Sequence, residues 1–377
     1  MYYNHMKNIK SIICSLLIYS IVACVSPYTC NVIRVDLKEK MSIDSVTNYL
    51  HFDNLIRIPM HDYPVSSVDR MIRCDSYVYI LDKSQSIVYK IDTSAKKIKK
   101  IIDNKGRAKN EYIEITDIAI DRSKNLYVYD CESEKVNIYD AEGNYLRSIK
   151  NVAYGSSIAV ANNNNFAINS NYLEDDLIIV YSPTGKELYR LSPQNRVTNH
   201  IFGDVASITS WNEEFIFTTP FDFNIYQTDN SKCVSMVSLD YGENGFDTDM
   251  LKGIDYKRFR EVLHNNTNKI MSLRYLSQYK DYLFLSTEKN DQLIYNLTNN
   301  TIIELSNIEW PYRILFFSPM FVNKSGQFCS VVTNSNIKNG YLPSVEYQGT
   351  KLPQLEISLS DGDTDENTLW ILMGRII

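Results

Sequence analysis

Five segments share one pattern, an apolar strand, a turn and a second strand centred on a tyrosine, and together they predict an all-β chain folded as a six-bladed β-propeller. The tyrosine strands are 87–92, 136–140, 178–182, 223–227 and 292–296, carrying Tyr89, Tyr139, Tyr181, Tyr226 and Tyr295. A repeat of about 40–50 residues with several strands per unit is the period of propeller blades. Composition agrees, since 28 tyrosines and an aromatic share of 12% in 377 residues favour strands over helices. Hydrophobic residues at 44% and charged residues at 22% allow a sizeable core.

Residues 1–23 read as a targeting leader. Lys7 and Lys10 form a positive start, and the apolar run from Ser11 to Ala23 is shorter than the roughly 20 residues a membrane-spanning helix needs. The run ends in Ile21, Val22, Ala23 and Cys24, which resembles the lipobox of bacterial lipoproteins, where the cysteine is acylated and becomes the new N-terminus. The resemblance implies lipidation at Cys24, a membrane partner through that lipid, and a place in the cell envelope, at the outer membrane facing the periplasm. The plainer alternative is an ordinary secretory leader with an incidental cysteine. Net charge is −6, becoming −8 when Lys7 and Lys10 leave with the leader, and this balance argues against nucleic acid as a partner.

Residues 24–50 are expected to form a tether and lead-in, and residues 51–377 the propeller. Blade one is read as 68–72, 77–82, the strand around Tyr89 and 97–102, and blade two as 116–121, 126–130, 136–140 and 145–149. Blades three, four and five follow the same order through 157–191, 205–239 and 273–305. Between blades four and five, Met250, Leu251, Ile254, Phe259, Val262 and Leu263 recur at helical spacing, so one short helix is expected within 247–264. Blade six has only 313–317, 327–333 and 368–373 in sequence order. The unpartnered strand 55–58 near the N-terminus fits the vacancy, closing the ring by pairing the two ends of the chain and removing an exposed sheet edge.

With these blades in place the chain resembles the six-bladed propeller lipoproteins of Gram-negative bacteria, relatives in shape of NHL-repeat propellers. The most specific segment is 105–112, which keeps Gly106, Arg107, Glu111 and Tyr112 of a G-R-G-P-G-E-Y signature but has Ala108, Lys109 and Asn110 where the family has Gly, Pro and Gly. The acidic run 361–367 before the last strand is similar to the family's ending. The resemblance implies fold and location rather than chemistry. Loops on a rigid scaffold concentrate binding residues. Arg107 can pair bidentately with a carboxylate or phosphate, and Glu111 and Tyr112 stand beside it. Arg107 and Glu111 bracing the blade junction is the competing reading.

Sequence identifies no catalytic residue and no metal ligand set. The alternating acids of 361–367 lack the glycine and glutamate of a calcium loop, since Glu366 and Leu372 hold those positions. The five histidines have no ligand spacing, and no nucleophile elbow or phosphate loop exists. Seven cysteines without a C-x-x-C pair suggest buried thiols, with a disulfide as the alternative in an exported protein. Asp69 and Asp117 fall on or beside inner strands, where converging carboxylates hold calcium in some propeller enzymes. The expectation is therefore a lipid-anchored binding module without cofactor, taking a protein or small-molecule ligand on the channel face. The alternative is a divalent-metal hydrolase or lyase with Ca2+ in the channel.

Overall fold

Strands form where β-branched and aromatic residues run between turn formers, and here those runs are buried on both faces because each blade is sandwiched between two others. A computed structural model describes residues 31–35, 43–170, 176–193, 207–229, 231–289, 291–305, 308, 319–332 and 368–377. Strand β1 (Asn31–Arg34) and the short helix α1 (Ile43–Thr47) precede β2 (Leu50–Pro59). Blade one comprises β3 (Arg70–Cys74), β4 (Tyr77–Asp82), β5 (Ile87–Asp92) and β6 (Lys97–Ile102). Blade two comprises β7 (Asp117–Ile120), β8 (Leu126–Asp130), β9 (Lys135–Tyr139) and β10 (Tyr145–Lys150). Blade three comprises β11 (Ser157–Val160), β12 (Phe166–Asn169), β13 (Ile178–Tyr181) and β14 (Glu187–Leu191). Blade four holds β15 (Ile208–Trp211), β16 (Glu214–Phe217), β17 (Asn224–Asp229) and β18 (Lys232–Asp240), with β1 added at its outer edge. Blade five holds β19 (Leu273–Tyr279), β20 (Tyr282–Thr287), β21 (Gln292–Asn296) and β22 (Thr301–Glu304).

Blade six is ordered β2, β25 (Thr368–Ile376), β24 (Gln327–Val332) and β23 (Phe321–Val322). The N-terminal β2 is thus its outer strand, paired antiparallel with the C-terminal strand from Leu50 opposite Ile376 to Pro59 opposite Thr368. The predicted closure is present and longer than the sequence pattern suggested. Residues 313–317, expected to supply an inner strand, lie outside the described residues, and β23 fills that place. Cys24 and the acidic run 361–367 also lie outside them. The use of β1 as a fifth strand of blade four was not anticipated, because four residues of weak periodicity read as lead-in.

The first strands of successive blades are neighbours around the whole ring: β3 touches β7 and β23, β11 touches β7 and β15, and β19 touches β15 and β23. They surround the axis. Six apolar clusters fill the six blade-to-blade boundaries, one of them joining Tyr79, Leu81 and Val88 of blade one to Ile118, Leu126 and Tyr139 of blade two. A seventh, smaller cluster roots the insertion between blades four and five through Phe221, Phe246, Leu251, Phe259, Val262 and Leu263. Its helix, α2 (Tyr256–Asn265), starts later than the apolar spacing implied. Gly253 in the left-handed region (φ 68°) separates it from a 3-10 turn at Thr248–Leu251, and Asp255 caps it by accepting from the Arg258 amide at 2.8 Å.

The repeated tyrosine has a physical reason. Its ring packs in the boundary core, while its hydroxyl ties the third strand of a blade to the loop that leads into the same blade. Tyr89 donates to the Pro64 carbonyl at 2.9 Å, Tyr139 to the Asn110 carbonyl at 3.1 Å, and Tyr181 accepts from the Ala153 amide at 2.7 Å. Burial pushes the Tyr139 hydroxyl up to about 12. Later blades use local partners, Asp222 for Tyr226 and Asn300 for Tyr295. Tyr181→Phe should therefore cost about 1–3 kcal/mol, since it strands a buried amide. Tyr295→Phe, whose partner Asn300 is exposed to water, should cost less than about 1 kcal/mol, and urea denaturation of both variants checks the ranking.

Candidate functional site

The six inner strands end in hairpin turns that converge on one end of the axis, around a cavity of about 580 Å³. That volume is within the range of small-molecule sites. Each turn carries one residue in the left-handed region: Asp75 (φ 54°), Lys124 (65°), Asn164 (63°), Asn212 (53°), Lys280 (49°) and Gly326 (73°). The turns are thereby held in similar tight conformations that aim the adjacent side chains at the channel mouth. The half-buried Trp211 of β15 and Tyr279 of β19 contribute aromatic wall.

Charge at the mouth is unbalanced. Arg70, Arg73, Arg122, Lys124, Lys280 and Lys324 line the cavity, against only Asp75 and Asp121. Three of the cations are engaged. Arg73 donates to the Phe328 and Gly374 carbonyls of blade six at 3.0 and 2.7 Å. Arg70 lies 3.9 Å from the Asp117 carboxylate, and the exposed Lys124 pairs with Asp75 at 2.5 Å. Asp121 spends its carboxylate on its own turn, accepting from the Asn125 amide and side chain at 2.8 and 2.9 Å.

Arg122, Lys280 and Lys324 have no carboxylate partner among the described residues. Lys280 stands 5.0 Å over the Tyr279 ring. Lys324, from blade six, reaches across the channel to blade three and donates to the Val160 carbonyl at 3.2 Å and to Asn162 Oδ1 at 3.0 Å. Both acceptors are neutral. Lys324 is exposed as a residue, yet desolvation of its ammonium and then the charge of Arg122 push it down to about 8, with Asp121 opposing. The folded protein therefore binds this proton less tightly than the unfolded chain, so the group costs stability when charged and stability rises with pH above about 8.

The residues singled out from sequence lie elsewhere. Residues 103–116 enter β7 at its start, whereas the cavity is lined by the far end of that strand and by Asp121, Arg122 and Lys124 beyond it. Tyr112 is fully buried and donates to the Ser86 carbonyl of blade one at 2.7 Å. Glu111 folds back to accept from the Ala108 amide at 2.7 Å, and its backbone carbonyl accepts from Asn137 at 3.0 Å and from Lys135. A Cβ at Gly106 would fall 2.1 Å from the Glu111 carboxylate, which would have to swing off the Ala108 amide to make room. Arg107 is exposed and forms no ion pair among the described residues. The loop thus brings Gly106, Glu111 and Tyr112 together as a brace and leaves Arg107 facing solvent.

Asp117 is buried and stitches three blades, with Arg70 near one oxygen and the Ile158 amide donating to the other at 3.0 Å. Asp69 accepts from the Ser67 hydroxyl and, at 2.9 Å, from the Lys83 amide, holding a turn of blade one. Neither lines the cavity, and among the described residues no three His, Cys, Asp or Glu side chains gather closely enough to share a metal ion. Cys74, Cys131, Cys233 and Cys329 are free thiols. The cations of the mouth escaped the sequence reading because each alone is an ordinary turn residue. Superposing the inner turns in sequence would have placed Arg122 and Lys324 together, each two residues before the left-handed Lys124 and Gly326, with Lys280 at the left-handed position itself.

The fold and its channel place the chain among six-bladed β-propellers with an axial cavity. By sequence it belongs to the family described as a domain of unknown function, DUF4934, whose pattern matches residues 65–369. The structure is similar to that of a Bacteroides fragilis protein classed by expectation as exported, at 17% identity, with a TM-score of 0.67 over 93% of this chain and 100% of the other. It is also similar to a DUF4221 family member from Bacteroides vulgatus, at 12% identity and a TM-score of 0.53, over 87% of this chain and 98% of that one. At such identities the likeness is one of fold. No curated protein matches the sequence.

Proposed function

We propose that this chain is an exported, lipid-anchored propeller of the cell envelope, at the outer membrane facing the periplasm, which binds a small ligand in the axial cavity. The observation that carries the reading is the convergence of six inner turns on one cavity of about 580 Å³, where three cations have no acidic partner among the described residues. Unpaired charge at a concave, partly aromatic site supports ligand recognition rather than bracing. The same excess of positive charge works against a bound divalent cation, so the calcium-dependent alternative is the weaker one. A ligand-observed NMR screen of mixed small molecules tests the site, comparing the wild type with Ser325→Trp, which adds bulk at an exposed rim position of ordinary backbone conformation. Hits that compete with one another and vanish in the plugged variant support the reading. Hits indifferent to the plug contradict it.

Export and anchoring rest on Lys7, Lys10, the apolar run 11–23 and Cys24, together with the designation of the Bacteroides fragilis protein of similar fold. Two or three acyl chains supply the multiple signals that stable membrane attachment requires. Cys24→Ser should move the protein from the membrane pellet to the soluble fraction or leave it unprocessed. Unlipidated wild-type protein beginning at another residue would rule the anchor out.

A further inference from the structure

We infer that the ligand of the channel mouth is a small organic oxyanion, carried as a carboxylate, phosphate or sulfate, and held between Lys324, Arg122 and Lys280. The inference rests on the channel being the binding site, and it names the chemistry that site selects.

Lys324 starts on blade six and its ammonium bonds to blade three, the opposite member of the ring, so the charge lies across the channel. Val160 and Asn162 offer it only neutral oxygens, and the charged groups acting on it are Arg122, a like charge, and Asp121, whose oxygens are already bonded within their own turn. Arg122 belongs to blade two and Lys280 to blade five, so cations approach the cavity from three blades. Arg122 and Lys324 are neighbouring like charges that Asp121 offsets only in part, and an oxyanion placed between them relieves the remaining repulsion while accepting charge-assisted hydrogen bonds. The guanidinium of Arg122 matches two oxygens of one such group, and Lys324 acts as a point charge beside it. Trp211 and Tyr279 offer flat faces for the remainder of the molecule.

Three further properties follow. Binding should weaken with salt, because the attraction is electrostatic and the mouth is open to solvent. It should weaken as pH rises through about 8, where free Lys324 loses its proton. An anion bound there should restore the proton, so binding near pH 8.5 should take up protons from the buffer.

The test is calorimetric titration of the full chain with glucuronate, glucose 6-phosphate and glucose 6-sulfate, with glucose as the neutral control. The variants are Arg122→Gln, Lys324→Gln and Lys280→Asn. Lys324→Gln removes a desolvated charge, and Lys280→Asn places at a left-handed position (φ 49°) a residue that tolerates it, so both should fold at least as stably as the wild type. At least one anion should bind while glucose does not, and each variant should weaken it by about tenfold, the effect of about 1.4 kcal/mol per lost contact. The preference among the three anions distinguishes carboxylate, phosphate and sulfate. Binding of glucose and anions alike, lost on Ser325→Trp, would overturn the oxyanion inference while leaving the channel reading standing. Anion binding unchanged by the three substitutions, or binding of no anion at all, would overturn the inference outright.

Discussion

Truncation before Thr368 should abolish the native fold. The lost strand β25 lies between β2 and β24, paired with both, so its removal strands the N-terminal β2 and exposes the edge of β24. It also removes Leu369, Trp370, Ile371, Leu372, Met373 and Ile376 from the core. Trp370 and Leu372 pack at the boundary with blade five, and Ile371 and Met373 at the boundary with blade one. Each buried apolar side chain contributes about 1.5–3 kcal/mol, so the set rivals the whole stability of a domain, about 5–15 kcal/mol. The truncated chain should elute as aggregate on size exclusion and show no cooperative melting. A soluble monomer with unchanged Tm would refute closure by the two ends of the chain.

The second large effect is expected at Gly374. This residue sits opposite Phe52 on one side and Phe328 on the other, beneath an edge-to-face pair whose ring centroids are 5.9 Å apart. A Cβ there would lie 2.3 Å from the His51 carbonyl oxygen and 2.3 Å from the Phe328 ring. One of those neighbours is backbone and cannot swing away. The Gly374 carbonyl is also one of the two that anchor the buried Arg73 across the junction of blades one and six. Gly374→Val should cost about 3 kcal/mol or more through overpacking and loss of that anchor, read as a fall in the urea midpoint. Gly253→Ala, in open space on the surface insertion, should cost only the strain of a left-handed alanine, about 1–2 kcal/mol.

Much of the fold was readable in the chain because its period is carried by residues with two tasks. Tyr89, Tyr139 and Tyr181 each fill a boundary core and fasten an incoming loop, so the pattern recurs with both ring and hydroxyl conserved in kind from blade to blade. The partnership of the chain ends was likewise visible, because 55–58 and 368–373 are apolar runs without a local partner. β1 was not readable, since a four-residue edge strand draws its stability from blade four rather than from its own pattern. The site was less legible still. Glu111 and Tyr112 stood out as a motif, and in the structure their hydrogen bonds hold the loop between blades one and two, away from the cavity. Arg122 and Lys324 come from blades two and six, far apart in sequence, and act on each other only once the ring closes.

The central claim, that the channel mouth is the ligand site, is tested most directly by competitive lysine acetylation at pH 8 read by mass spectrometry, with and without glucose 6-phosphate. Lys324, held at about 8, should be among the fastest lysines to react in the free protein. The ligand should protect Lys324 and Lys280 while leaving the exposed outer-strand Lys97 and Lys99 unchanged. Protection confined to the outer strands, or none at Lys324 under conditions where binding is measured, would contradict the account.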